Sequence, residues 1–140
     1  MARKKTWTEK LNNDKPHKVK PVPKDMAGMK AGEIMLVPTA RIVDDFIRSI
    51  PERTEMDVKT LRKKLAEQFK AEVTCPITAG IHVRIVAEAA CEALAAGATL
   101  AEITPFWRVL DADAPITKKL SCGVGFVADR RASEGLPARH

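Results

Sequence analysis

Pro105-Phe106-Trp107-Arg108-Val109 concentrates more recognition chemistry than any other stretch of the chain. Two large aromatics stand side by side in a sequence that holds four Phe, two Trp and no Tyr. Such rings can stack on an unpaired or extruded base, and the arginine beside them can hold a phosphate or lie over a ring. The alternative is that both rings fill the core of an aromatic-poor domain. Neighbours on an extended segment point to opposite sides, so one ring is expected in the core and the other along a pocket together with Pro105.

Arg84 stands among small and apolar residues in Ile81-His82-Val83-Arg84-Ile85-Val86-Ala87. That setting would let a helix approach a duplex closely and present an arginine to base edges or to a vacated stack position. Spacing alone equally supports a surface arginine paired with Glu88 one turn later, worth only about 0.2–0.5 kcal/mol. Lys59, Arg62 and Lys63 would line the polar face of the preceding helix, suited to phosphate contacts. His82 has no partner at metal-ligand spacing, so a half-buried or surface imidazole is expected. Cys75 precedes Pro76 at a helix start, where the dipole favours a thiolate. It has no visible base to activate it, and nucleophiles ordinarily come with one. Cys91 lies among alanines and Cys122 before a glycine, both reading as structural. The chain contains no P-loop, no dinucleotide glycine fingerprint and no carboxylate pair at a meaningful spacing, so no cofactor is implied.

The elements that must carry these residues are mainly helical. Pro38-Thr39 opens a helix with Ile42, Val43, Phe46, Ile47 and Ile50 at helical spacing, and Pro51 ends it. Asp57 is the expected N-cap of a helix over 58–69, whose apolar stripe is Val58, Leu61, Leu65 and Phe69. A short link leads to Cys75-Pro76 and a long alanine-rich helix from Ile77 to about Ala96, closed by Gly97. Two helices joined by a short turn, the second long, have helix-turn-helix spacing. Phe106–Leu110 is β-prone or an irregular packed loop, Asp113–Leu120 holds a short helix, and a last helix covers about Phe126–Ser133. About five helices with little sheet are expected.

Charge divides the chain. Residues 1–30 carry nine Lys/Arg against Glu9, Asp14 and Asp25, a surplus equal to the whole net charge of +6. Residues 31–140 therefore balance, with fifteen basic and fifteen acidic groups. With Pro16, Pro21 and Pro23 breaking any long helix, residues 1–30 read as a flexible basic arm with one short helix near Trp7–Leu11. Such an arm suits nucleic-acid binding or mere solubility. No stretch is long and apolar enough to span a membrane, and Thr6–Asn13 is no signal-peptide core. Three cysteines without a Cys-x-x-Cys pair read as free thiols of a cytoplasmic protein.

From residue 39 onward the chain resembles the C-terminal domain of the O6-alkylguanine-DNA alkyltransferases. Ile50-Pro51 sits where that family has an Ile-Pro, and His82–Ala89 resembles its Ala-x-Arg-Ala-Val-Gly-x-Ala, placing Arg84 at the arginine finger. Pro105, Arg108 and Val109 match its Pro-Cys-His-Arg-Val signature, and Ala132-Ser133-Glu134-Gly135 resembles its closing Ala-His-Glu-Gly. The resemblance implies a winged helix-turn-helix domain at 31–140 that binds double-stranded DNA. The departures fall on chemistry. Phe106 replaces the alkyl-accepting cysteine, and Trp107 replaces the histidine that activates it through water. A phenyl ring cannot accept an alkyl group, and an indole N–H cannot act as a base. Alkyltransferase-like proteins make a comparable change, bind alkylated guanine without repairing it, and flag the lesion for repair partners. Val58 stands near the place of the family's phosphate-rotating tyrosine, and Gly97-Ala98 near that of its hinge asparagine.

The expectation is thus a monomeric, non-enzymatic binder of duplex DNA, alkylated or with a flipped base. Arg84, Lys59, Arg62, Lys63 and Arg108 would contact DNA, and Pro105, Phe106 and Trp107 would line a base pocket. The alternative is a protein-interaction or structural module on the same fold, which the zero net charge of residues 31–140 favours. A methyltransferase acting through Cys75 is the weaker third reading.

Overall fold

Side-chain caps set where the first three helices begin in the computed structural model, which describes residues 6–139. Thr6 opens α1 (Trp7–Leu11). Its hydroxyl accepts the Glu9 N–H at 3.1 Å while the Glu9 carboxylate accepts the Thr6 N–H at 3.3 Å, a reciprocal capping box. Thr39 caps α2 (Ala40–Arg48) through the Ile42 N–H, and Asp57 caps α3 (Val58–Gln68) by accepting the Thr60 N–H at 2.7 Å. No side chain caps α4 (Pro76–Ala95); it begins at Pro76, which has no N–H to satisfy there. Gly97, at φ 106°, ends it, and the Ala98 N–H reaches back to the Ala93 carbonyl at 3.0 Å. Two 3-10 turns, Phe106–Arg108 and Thr117–Lys119, precede α5 (Gly123–Ser133). The chain is thus mostly helical, with five helices among the described residues.

A small sheet joins the helices, in the order β1-β2-β3: β1 (Lys18–Pro21), β2 (Ile34–Val37) and β3 (Val73–Thr74). β1 runs antiparallel to β2, with Val19 opposite Leu36, and β3 runs parallel to β2, with Thr74 also opposite Leu36. The crossover from β2 to β3 is the α2–α3 pair, which packs against α4. Helix α4 is the axis of the core. Val83, Ile85, Val86, Ala87, Ala89 and Ala90 are all buried, because α1, α2, α3 and the Phe106–Arg108 turn surround it. Leu61 and Leu65 of α3 are fully buried, each worth about 1.5–3 kcal/mol of transfer free energy. Val22, Met29, Met35 and Cys75 form a second, smaller cluster under the sheet.

Three expectations need correction. Residues 6–30 do not stand apart from the rest as an arm, and residues 1–5 of the expected arm lie outside the described residues. Residues 6–30 supply α1 and β1, and Leu11, Val22 and Met29 are buried, so packing crosses the expected boundary at residue 30. The thiols are not all free. Cys91 of α4 and Cys122 at the start of α5 are disulfide-bonded, their Cα atoms 5.6 Å apart, and only Cys75 is free. The link between α3 and α4, residues 69–75, is longer than a tight helix-turn-helix turn because it carries β3 into the sheet. No helix among the described residues is long and apolar enough to cross a membrane.

Candidate nucleic-acid interface

The Phe106–Arg108 turn changes the geometry expected of its two rings. On a 3-10 turn, neighbours do not alternate between faces, and both Phe106 (0 % exposed) and Trp107 (2 %) are buried. Phe106 stacks with Phe126 of α5 at 6.0 Å between centroids, and Trp107 meets both edge-on at 5.5 and 6.1 Å. Phe106 therefore plugs the core. Pro105 and Trp107 behave differently. Together with Arg108, Arg130, Glu134 and Arg48 they line a cleft of about 380 Å³, within the range of small-ligand sites.

Glu134 ties this turn to α5. Its carboxylate accepts the Trp107 indole N–H at 2.7 Å, two Arg108 guanidinium N–H groups at 2.9 and 3.1 Å, and the Arg53 backbone N–H at 2.9 Å. Burial by itself would push this carboxyl upward. The donations from Arg108, Trp107 and Arg53, with the Arg108 charge, override it and hold the pKa at about 2. A third Arg108 N–H goes to the Ile50 carbonyl at 2.7 Å, so three of the five guanidinium donors are committed within the protein. Arg131, fully buried, anchors the other side of the turn by donating to the Trp107 carbonyl at 2.8 Å and pairing with Glu55. Sequence reasoning singled out Glu134 by resemblance but missed Arg131. Nothing in the periodicity of α5 distinguishes it from the half-buried Arg130.

Arg84 projects from the middle of α4 with its guanidinium 3.7 Å from the Glu88 carboxylate and 5.3 Å from the centre of the Trp7 ring. It is partly exposed, 38 % of the side chain, and α1 lies alongside it. Glu92 explains why α1 docks there. Its carboxylate accepts the Trp7 and Thr8 backbone N–H groups, both at 3.2 Å, capping the helix from across the interface. The same contacts hold the Glu92 pKa down: the Thr8 hydroxyl contributes most, against a smaller opposing effect of burial. Glu88 is buried and also accepts from the Ser121 N–H and hydroxyl at 2.9 and 3.1 Å.

Lys59 and Lys63 face solvent on α3, whereas Arg62 is half-buried with an Nε that lacks a partner among the described residues. The first turns of α4 expose two isoleucines on one face, Ile77 (54 %) and Ile81 (55 %). Cys75 is buried, and the Thr78 hydroxyl lies 3.3 Å from its sulfur; the nearest titratable side chain on its helix, His82, is nearly two turns away. His82 is half-buried, as its lone position suggests. Burial lowers its pKa, partly offset by a hydrogen bond to the Pro38 carbonyl. Among the described residues no group of His, Cys, Asp and Glu is placed to hold a metal.

Searches of protein-family models, curated proteins and solved structures return no match to this chain. The site is therefore read from its own geometry.

Proposed function

We propose that this chain is a non-enzymatic duplex-DNA-binding protein of the alkyltransferase-like kind, on a winged helix-turn-helix plan. The observation that carries this reading is the pairing of surfaces at α3 and α4. The first two turns of α4 expose Ile77 and Ile81 a full turn apart, and α3 presents Lys59 and Lys63 to solvent. Short apolar side chains on a docking helix suit the sugar-lined walls of a minor groove, and lysines on the neighbouring helix suit flanking phosphates. Arg84 lies one turn beyond Ile81, where it could follow an apolar wedge into the stack.

The geometry narrows the role of the Pro105–Val109 segment. With Phe106 sealed in the core, an extruded base would meet Pro105 and the edge of Trp107 in the neighbouring cleft. Arg130, 5.1 Å from the centre of the Trp107 ring, lines the same cleft. Extrusion costs a few kcal/mol, less at a damaged base, which gives lesion preference a physical source. Arg108 is committed to Glu134 and Ile50, so its part is to position the turn and it is withdrawn as a DNA contact. A cytoplasmic location loses the support of free thiols, since Cys91 and Cys122 are paired.

The test is a titration of duplexes with and without O6-methylguanine at several salt concentrations. Wild type should bind the lesion duplex more tightly, with a salt slope that falls by about 0.9 for each phosphate-binding lysine removed from α3. Arg84→Ala should erase the lesion preference while leaving most of the salt-dependent affinity. Binding indifferent to salt, lesion and Arg84 would leave the interaction-module reading. That reading has its own support, because Arg84 is already engaged by Trp7 and Glu88, and an exposed isoleucine pair also suits a protein partner.

A further inference from the structure

We infer that a second surface, the groove between residues 10–20 and the first half of α4, binds single-stranded nucleic acid along its sugar–phosphate backbone. The groove encloses about 710 Å³, and four lysines, Lys10, Lys15, Lys18 and Lys20, line it without a single carboxylate in its walls. Lys18 and Lys20 share one face of β1, because strand residues two apart point the same way, while Val19 faces elsewhere. Lys15, Lys18 and Lys20 form no ion pair among the described residues, so their charge is available to a ligand. Lys10 lies over the Trp7 ring at 4.2 Å and is thereby held at the groove's end.

The floor is apolar, made by Val37, Pro38 and Ile85, and the α4 wall contributes Thr78 and His82. The His82 Nδ1 is buried and has no hydrogen-bond partner among the described residues. The ring lines the groove wall, so its signals report on what enters the groove. A cationic rim over an apolar floor suits a chain whose phosphates alternate with sugars. A duplex presents its phosphates on a convex surface and cannot enter a concavity of this size, whereas one unpaired strand can. No Phe, Trp or Tyr lines the groove, so the backbone and not base stacking carries the affinity, and base preference should be slight.

This surface shares no residue with the α3 surface or with Ile77, Ile81 and Arg84, so it goes beyond duplex docking and is tested separately. The full chain is titrated into a short fluorescein-labelled oligodeoxythymidylate over a range of salt, with anisotropy as the readout. Neutralising three lysines in Lys15→Gln/Lys18→Gln/Lys20→Gln should reduce the salt slope by about 2, at about 0.7 per charge on a single strand, and weaken binding at low salt tenfold or more. All three side chains are exposed, so the variant should keep its fold. Lys59→Gln/Lys63→Gln on α3 should spare the oligonucleotide and weaken the duplex. In a parallel NMR titration, the His82 ring signals should move as the oligonucleotide is added. An unchanged triple variant, an unmoved His82, or equal displacement by short polyglutamate would overturn the inference. Oligonucleotide binding without duplex binding would uphold the groove and sink the duplex-docking proposal; the reverse pattern would do the opposite.

Discussion

Glu134→Gln tests whether the Trp107–Glu134–Arg108 network holds the Phe106–Arg108 turn onto α5. The carboxylate is 2 % exposed and receives four donors, with a pKa lowered from 4.5 to about 2. Because the folded value lies below the unfolded one, the stabilisation is fully present above about pH 4.5. It is lost as pH falls toward 2, when the folded carboxylate itself protonates. A gap of this size corresponds to at most about 3.4 kcal/mol, at 1.36 kcal/mol per unit. Glutamine keeps one acceptor oxygen for Trp107 or Arg108 but supplies no charge, and it turns an N–H₂ toward a cationic neighbour. The expected loss is about 2–3 kcal/mol at neutral pH, below the roughly 3–5 kcal/mol for removing one side of a buried pair because glutamine keeps an acceptor. Urea denaturation of wild type and variant at a series of pH values separates this group from the other carboxylates, because only the difference between the two curves reports it. That difference should be constant above pH 5 and shrink steadily between pH 4.5 and 2. Parallel stability curves across that interval would refute the assignment, and so would a variant as stable as wild type at pH 7.

Three further outcomes are expected. Cys91→Ser/Cys122→Ser should lower stability by about 3–4 kcal/mol on the chain-entropy estimate for a 31-residue separation, measured by denaturation with and without reductant; wild type should fall to the variant's level when reduced. Trp7→Ala should cost about 1–3 kcal/mol from lost packing of α1 on α4, and should raise the salt-dependent affinity for duplex by freeing Arg84; weaker duplex binding would show that Trp7 is part of the interface. Leu65→Ala, deleting a fully buried side chain of α3, should cost about 2–5 kcal/mol by thermal denaturation and leave the cooperativity of unfolding intact.

Helices were legible where local chemistry decides them. Thr39 and Asp57 announce the caps of α2 and α3, the Val58–Leu61–Leu65 stripe announces the buried face, and Pro76 and Gly97 bracket α4. Even α1 was legible from a five-residue stretch. The sheet was not. β1 is fully exposed and lysine-rich, and β3 has two residues, so neither carries the alternation by which a strand is recognised. Their pairing depends on β2, whose buried Met35 and Leu36 are placed by tertiary contacts. The same holds for the disulfide: Cys91 and Cys122 are 31 residues apart, and only the packing of α5 near α4 brings them together. At the site, residue identities were legible but orientations were not. Phe106 and Trp107 both turn inward because the turn is 3-10, which no period-2 argument foresees.

The basic N-terminal segment shows why a charge count is a weak guide to architecture. Its surplus of positive charge, with three prolines, reads as a flexible arm. In the fold, Leu11, Val22 and Met29 bury its apolar residues, Glu92 caps its helix, and β1 extends the sheet. Deleting residues 1–30 would therefore remove core as well as charge, and any loss of nucleic-acid binding would be uninterpretable. The lysines themselves are the right objects to change. They project from packed backbone at fixed positions, Lys18 and Lys20 on one face of a strand and Lys10 at the end of a capped helix. Fixed cations lose less freedom on meeting a phosphate chain than the same charges on a loose tail would. Rigid placement also makes the two basic surfaces separable, one on α3 and one along the groove that His82 lines. A protein that held a duplex by α4 and an unpaired strand by β1 would be suited to a junction between the two. Simultaneous binding of a labelled oligodeoxythymidylate and an unlabelled duplex, with neither displacing the other, is the behaviour this arrangement requires.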